Sequence, residues 1–178
     1  SKLLIEKTME QIPLFKVFMS DDAVDRASKV LRSGFIGQGP VVEEFESYLN
    51  QRFNQDYILT LNSGTSVLHL CLHLLKKKAF EWPGINDGDE VLATPRTCTA
   101  SNWPALANGM KIKWVDIDPK TLNMDLDDLQ RKITPKTKVI MLVHWGGYPT
   151  DLDKIKEIQR KAKEVNGFAP TVIEDGAH

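Results

Sequence analysis

The sequence predicts an α/β fold, a mostly parallel sheet covered on both faces by helices. Two observations carry that prediction. From residue 57 onward, short strand-like runs alternate with helical patterns, the order that parallel β-α-β units require. In addition, Lys138 to Val143 is almost continuously apolar and Thr171 to Ile173 leads apolar side chains into Glu174, Asp175 and Gly176. Runs of that kind suit strands buried on both faces and ending at the edge where α/β sheets place their ligands.

In order along the chain, residues 1–20 read as irregular, with an arm or short strand at Ile12 to Phe18. Ser20, Asp21 and Asp22 can cap a helix over Ala23 to Leu31, ended by Ser33 and Gly34. A second helix follows Gly37-Gln38-Gly39-Pro40, with Phe45, Tyr48, Leu49 and Phe53 on one face. Tyr57 to Leu61 reads as a strand, and Asn62-Ser63-Gly64-Thr65-Ser66 as a tight polar turn. Val67 to Lys77 is apolar nearly all round, which predicts a buried helix. Strands are expected at Glu90 to Thr94, Lys111 to Val115 and Lys138 to Val143. Helices are expected within Thr97 to Ala107, interrupted or started near Pro104, and over Asp125 to Ile133. The last helix, Leu152 to Val165, would be capped by Thr150 and stopped by Asn166-Gly167, before the closing strand 171–175.

Bulk properties narrow the function. Of 178 residues, 42% are hydrophobic and 26% charged, ordinary for a globular protein. A net charge of -1 gives no general attraction to nucleic acid or anionic lipid. No apolar run reaches membrane-spanning length, and no signal-peptide pattern opens the chain, so a cytoplasmic location is expected. Two cysteines, Cys71 and Cys98, are too few for a disulfide framework or a metal site.

Four places could carry chemistry. A strand feeding a small polar turn that opens a helix gathers free N–H groups and a positive dipole end at Gly64, Thr65 and Ser66. That suits a phosphate or carboxylate, and it equally describes a well-capped helix; the P-loop and dinucleotide glycine patterns are both absent. Asp175, ending a buried strand, is a structural cap, one half of a salt bridge, or a fixed charge for a cationic ligand atom such as a protonated pyridine nitrogen. His178 could lie beside the same ligand. Cys98 could face a cleft at the sheet edge, although a packed small residue is the simpler reading. His69 and His73 have metal-pair spacing without a third ligand and read as a polar stripe.

The order of these pieces resembles the pyridoxal-phosphate sugar aminotransferases of the DegT/DnrJ/StrS group. The resemblance runs through Ile12-Pro13-Leu14, Gly37-Gln38-Gly39-Pro40, Asn62-Ser63-Gly64-Thr65-Ser66, Gly88-Asp89-Glu90-Val91, Thr97-Cys98-Thr99-Ala100-Ser101, Val115-Asp116-Ile117-Asp118, His144 to Asp153 and Ile173 to His178. It implies the three-layer α/β/α large domain of a fold type I aminotransferase, with a mixed, mainly parallel sheet. Residues 1–178 would be the N-terminal part of that domain, 1–56 a helical segment and 57–178 the α/β core. The final strands and the small C-terminal domain would be missing.

By the same resemblance, the cofactor is pyridoxal 5'-phosphate. Gly64, Thr65 and Ser66 would hold its phosphate, and Asp175 would pair with the pyridinium nitrogen and keep the ring an electron sink. His178 would lie near the ring hydroxyl, and Cys98 falls where many members place a stacking aromatic. The Schiff-base lysine matches no position here, so the isolated chain is expected to be inactive and to bind cofactor weakly or not at all. The implied reaction passes an amino group, usually from glutamate, to a keto sugar linked to a nucleotide, in a homodimer. Two other readings remain: a non-catalytic binding or regulatory module, and a lysine-less pyridoxal-phosphate sugar dehydratase.

Overall fold

The computed structural model describes residues 12–13 and 16–178. The expected arm or strand at 12–18 therefore lies partly outside the described residues, and those described within it form no strand. The chain divides into two compact units, one ending at Thr60 and one running from Leu61 to His178.

The first unit carries α1 (Ala23–Ser33) and α2 (Pro40–Phe53), neither of which buries a side chain. Asp22 occupies the cap position of α1 but spends its carboxylate on the Ser20 hydroxyl at 2.7 Å and Arg26 at 2.6 Å, so no helix N–H is capped. Gly34, at φ 78°, ends the helix in the left-handed region that glycine enters without strain. Pro40 stands in the first turn of α2, where its missing N–H costs nothing. The strand expected at 57–61 is not formed. Its N–H groups at Ile58 and Thr60 are taken by the side chains of Asn50 and Glu46 on α2, which leaves no ladder to join. Tyr57 and Leu59 stand in solvent.

The second unit holds α3 (Gly64–Leu74), β1 (Glu90–Ala93), α4 (Thr99–Ala107), β2 (Lys111–Trp114), α5 (Leu126–Lys132), β3 (Thr137–Val143), α6 (Leu152–Asn166) and β4 (Thr171–Asp175). The strands form one parallel sheet in the order β2-β1-β3-β4. Successive side chains point to opposite faces, and both faces are apolar. Val91, Ala93, Val139, Met141 and Ile173 pack with Leu68 and Leu72 of α3 and Ala105 of α4. Leu92, Ile140 and Leu142 pack on the other side with Leu129 of α5 and Ile155 and Ile158 of α6. Three layers result, and each fully buried Leu or Ile contributes about 1.5–3 kcal/mol.

Three expectations within this unit are corrected. The helix expected over Val67 to Lys77 is buried on one face only: Leu68 and Leu72 are covered, while Leu74 is 64% exposed. It also stops early, because the Leu75 carbonyl accepts the Trp82 indole N–H at 2.7 Å and the Ile85 N–H at 3.1 Å as the chain turns back. That return needs Gly84, whose φ is 78° and whose Cβ, if present, would stand 2.7 Å from the Lys76 carbonyl oxygen. Pro104 neither starts nor breaks α4; it lies inside the helix, where its burial beside Ser101 and Ala105 offsets the lost backbone bond. Finally, Asp151 rather than Thr150 caps α6, its carboxylate accepting the Lys154 N–H at 3.0 Å. A carboxylate also gains from the positive end of the helix dipole, which a hydroxyl does not.

Candidate active site at the sheet's carboxyl edge

The chain leaves β1 toward β2 at one edge of the sheet and leaves β3 toward β4 at the other. Between β1 and β3 the winding therefore reverses, and a crevice opens outside the strand ends at such a point. A cleft of about 240 Å³ lies there. Gly64, Thr65 and Leu68 of α3 form one wall, Thr97, Cys98 and Ser101 another, and Asp175, Ala177 and His178 a third.

At the α3 wall, Ser63 caps the helix: its Oγ accepts the Ser66 N–H at 3.2 Å. Gly64 and Thr65 are first-turn residues whose N–H groups have no acceptor within the helix. A Cβ added at Gly64 would meet no protein atom within 4 Å, so packing within the protein does not require the glycine; the space it leaves is open beside those N–H groups. Ser66 faces the cap and is not part of the cleft wall.

Asp175 is half-buried at the end of β4. Its Oδ2 accepts the Ser101 hydroxyl at 2.7 Å and its Oδ1 accepts the Ala177 N–H at 3.1 Å. Among the described residues no cation pairs with it, so the salt-bridge reading does not hold. Ser101 is buried, and its oxygen lies 2.8 Å from the Thr97 hydroxyl. With Ser101 donating to the carboxylate, Thr97 is left to donate to Ser101.

His178 is exposed yet held: its Nδ1 accepts the Gly146 N–H at 3.0 Å, which places the proton of the neutral ring on Nε2. Its ring stands nearly perpendicular to that of Trp145, centroids 5.0 Å apart. The loop after β3 is pinned beneath it. Asn123, 4% exposed, accepts the Trp145 N–H at 2.9 Å and donates to the Tyr148 carbonyl at 2.8 Å. His144 accepts the Thr150 N–H on Nδ1 at 3.1 Å and turns Nε2 to Glu174 at 2.9 Å. Cys98 is exposed at the cap position of α4, with its face on the cleft. His69 bonds Asn108, and among the described residues no group of three metal-ligating side chains forms.

The sequence reading missed Thr97, Ser101, Asn123 and His144. Thr97 and Ser101 had a faint signal, two hydroxyls four apart at a helix start. Asn123 had none, since a buried amide is recognised only by the backbone groups around it. A larger hollow of about 380 Å³ lies among Asp118, Asp125, Asp127, Asp151 and Lys154. Its carboxylates are already committed: Asp125 and Asp151 cap helices, and the hydrogen bond and charge of Lys154 hold the Asp127 carboxyl below its usual range.

Residues 18–178 match the model of the DegT/DnrJ/EryC1/StrS aminotransferase family. The chain belongs to that family. Its fold follows that of AtS13 from Actinomadura melliaura, with a TM-score of 0.85 and 53% identity over 94% of this chain and 43% of that one. GDP-perosamine synthase of Escherichia coli O157:H7 is 34% identical over 95% of this chain and 43% of its own length. The E. coli GDP-4-keto-6-deoxy-D-mannose-3-dehydratase with bound hydrated PLP is similar at 26% identity and a TM-score of 0.79, over 93% of this chain and 40% of that one. The chain spans 35–43% of the length of the curated relatives compared with it. The family is pyridoxal-phosphate dependent, and the three-layer α/β/α architecture is that of its sugar aminotransferases. The donors present fit that cofactor: open N–H groups at a helix start for a phosphate, and a carboxylate with no cation of its own for a pyridinium.

Proposed function

We propose that the full protein is a pyridoxal-phosphate-dependent aminotransferase that passes an amino group, with glutamate as donor, to a keto group of a nucleotide-linked sugar. The observation that carries this reading is the shared cleft: the first turn of α3 and Asp175, which pairs with no cation among the described residues, line the same 240 Å³ space. Gly64 and Thr65 would anchor the phosphate through backbone N–H groups, with Ser66 completing the turn. Asp175, oriented by Ser101 and the Ala177 N–H, would hold the pyridinium proton, and the bound ring then supplies an electron sink at the substrate carbon. His178 would donate from Nε2 to the ring oxygen. Cys98 would close the face of the cleft where a stacking aromatic is expected, with less contact area.

Among the described residues no lysine lines the cleft. On this reading the lysine that binds the cofactor covalently belongs to the rest of the protein, and the 178-residue chain alone is inactive. Residues 1–178 are then the N-terminal part of the large domain. The free thiols Cys71 and Cys98 support a reducing, cytoplasmic setting. Exposed Leu70, Leu74, Trp103 and Leu106 on α3 and α4 support self-association as a homodimer. Among the described residues no helix is long and apolar enough to cross a membrane. Likeness to a sugar dehydratase favours a second reading, dehydration of a similar sugar, which the residue at the lysine position of the full protein separates.

The test is a titration of the purified chain with pyridoxal 5'-phosphate, followed by amide NMR. Weak, reversible shifts should centre on Gly64–Ser66 and on Asp175 to His178, with about tenfold weaker binding in Asp175→Asn. Shifts confined to another part of the chain, or binding indifferent to Asp175→Asn, would remove the proposal.

A further inference from the structure

Arg96 lies in the loop between β1 and α4. Among the described residues it forms no salt bridge, and its Nε is buried with no hydrogen-bond partner. An unpaired buried donor on a charged group is unfavourable, and arginine cannot shed its proton to escape the cost. The side chain is nonetheless placed firmly. Its guanidinium carbon lies 4.5 Å from the centroid of the Trp145 ring, and the Trp145 and His178 rings stand nearly perpendicular. Asn123 fixes the Trp145 backbone from below. With the guanidinium carbon over the Trp145 ring and Nε closed to solvent, the Nη N–H groups remain as the donors for carboxylate or phosphate oxygens.

Location points to an anion of the substrate rather than of the cofactor. Arg96 belongs to the loop after β1 that brings Thr97 and Cys98 to the cleft, and through Trp145 it stands on the His178 side. The α3 turn already offers its own N–H groups to a cofactor phosphate. We propose that Arg96, stacked on Trp145 beside His178, is an oxyanion subsite that holds a carboxylate or phosphate group of the substrate. This rests on the aminotransferase reading, which supplies two sources of that chemistry: the carboxylate of the amino donor and the diphosphate of the nucleotide-linked sugar.

The experiment follows the Arg Nε–H and Trp indole N–H resonances of the purified chain, assigned with Arg96→Gln, Arg96→Lys and Trp145→Phe, at constant ionic strength. Separate titrations use glutamate, a thymidine or guanosine diphosphate, and pyridoxal 5'-phosphate. Saturable movement of the Arg96 and Trp145 signals is expected, with about tenfold weaker affinity in Arg96→Gln and an intermediate loss in Arg96→Lys. A response to glutamate identifies the donor carboxylate, and a response to the nucleoside diphosphate identifies the sugar-nucleotide phosphate. If neither anion moves the Arg96 resonance, or Arg96→Gln binds as tightly as the parent, the subsite is overturned. Should Arg96→Gln fail to fold, the titration of the parent's own Nε–H and of Arg96→Lys decides. Movement of Gly64–Ser66 with pyridoxal phosphate, with Arg96 silent toward both glutamate and the nucleoside diphosphate, removes the subsite and leaves the cofactor reading; a response of Arg96 to either anion without movement of Gly64–Ser66 removes the cofactor reading and leaves an anion site.

Discussion

Replacing Ser101 with alanine tests whether Asp175 is held as a charge. Ser101 is 2% exposed, and its hydroxyl donates to the Asp175 carboxylate over 2.7 Å. A hydrogen bond to a charged partner is worth about 1.5–3 kcal/mol. Asp175 is only half-buried and keeps the Ala177 N–H, so water can replace part of the loss, and the half-buried Thr97 hydroxyl can do the same. The expected cost of Ser101→Ala is therefore at the low end, about 1.5–2 kcal/mol. In an Asp175→Asn background the acceptor remains but its charge does not, and the same substitution should cost about 0.5–1 kcal/mol. Urea unfolding of the four proteins, with unchanged denaturant slope, gives the coupling directly. An expected coupling of about 1 kcal/mol stands clear of the roughly 0.3–0.5 kcal/mol scatter of independent sites. Equal costs in both backgrounds would mean that Ser101 acts by packing and that nothing in the cleft is arranged around a charged Asp175.

Two further outcomes are expected. Ile140→Ala, at a wholly buried position between the sheet and α5–α6, should lower unfolding free energy by about 2–5 kcal/mol, while Val165→Ala at an 85% exposed site should change it little, both read by urea unfolding. Glu46 accepts the Thr60 N–H at 2.7 Å and its hydroxyl at 2.8 Å, and these bonds, the backbone one foremost, hold its carboxyl below the ordinary glutamate value. A depressed folded value means that the tie between α2 and 58–60 is present above the ordinary value and is lost as pH falls through the lower one. The Thr60 amide resonance should titrate with a midpoint below that of a free glutamate and stay flat in Glu46→Gln; a midpoint at or above it would refute the assignment.

Much of the fold was legible because local and global signals agree. Lys138 to Val143 reads as a strand buried on both faces, and β3 does alternate its side chains between α3–α4 and α5–α6. Gly34 and Gly167 mark helix ends in the sequence and take positive φ in the structure. The failures are equally local. Tyr57 to Leu61 has the composition of a strand, but its N–H groups are claimed by Glu46 and Asn50. Thr150 looks like a cap until the neighbouring Asp151 takes the role. Pro104 looks like a break until its burial is known.

The amino-acid sequence by itself determined the alternating elements, the polar residues 62–66 that lead into a helix (begun at Gly64 rather than Val67), and the acidic end of the last strand, because each follows from periodicity and residue type within a few positions. Only the tertiary structure decided that Gly64, Thr65 and Asp175 share one cleft, that Ser101 rather than a cation attends Asp175, and that Arg96, unpaired among the described residues, lies on Trp145. Those facts depend on strand order and on contacts such as that of Ser101 with Asp175, 74 positions apart, which short-range pattern does not encode.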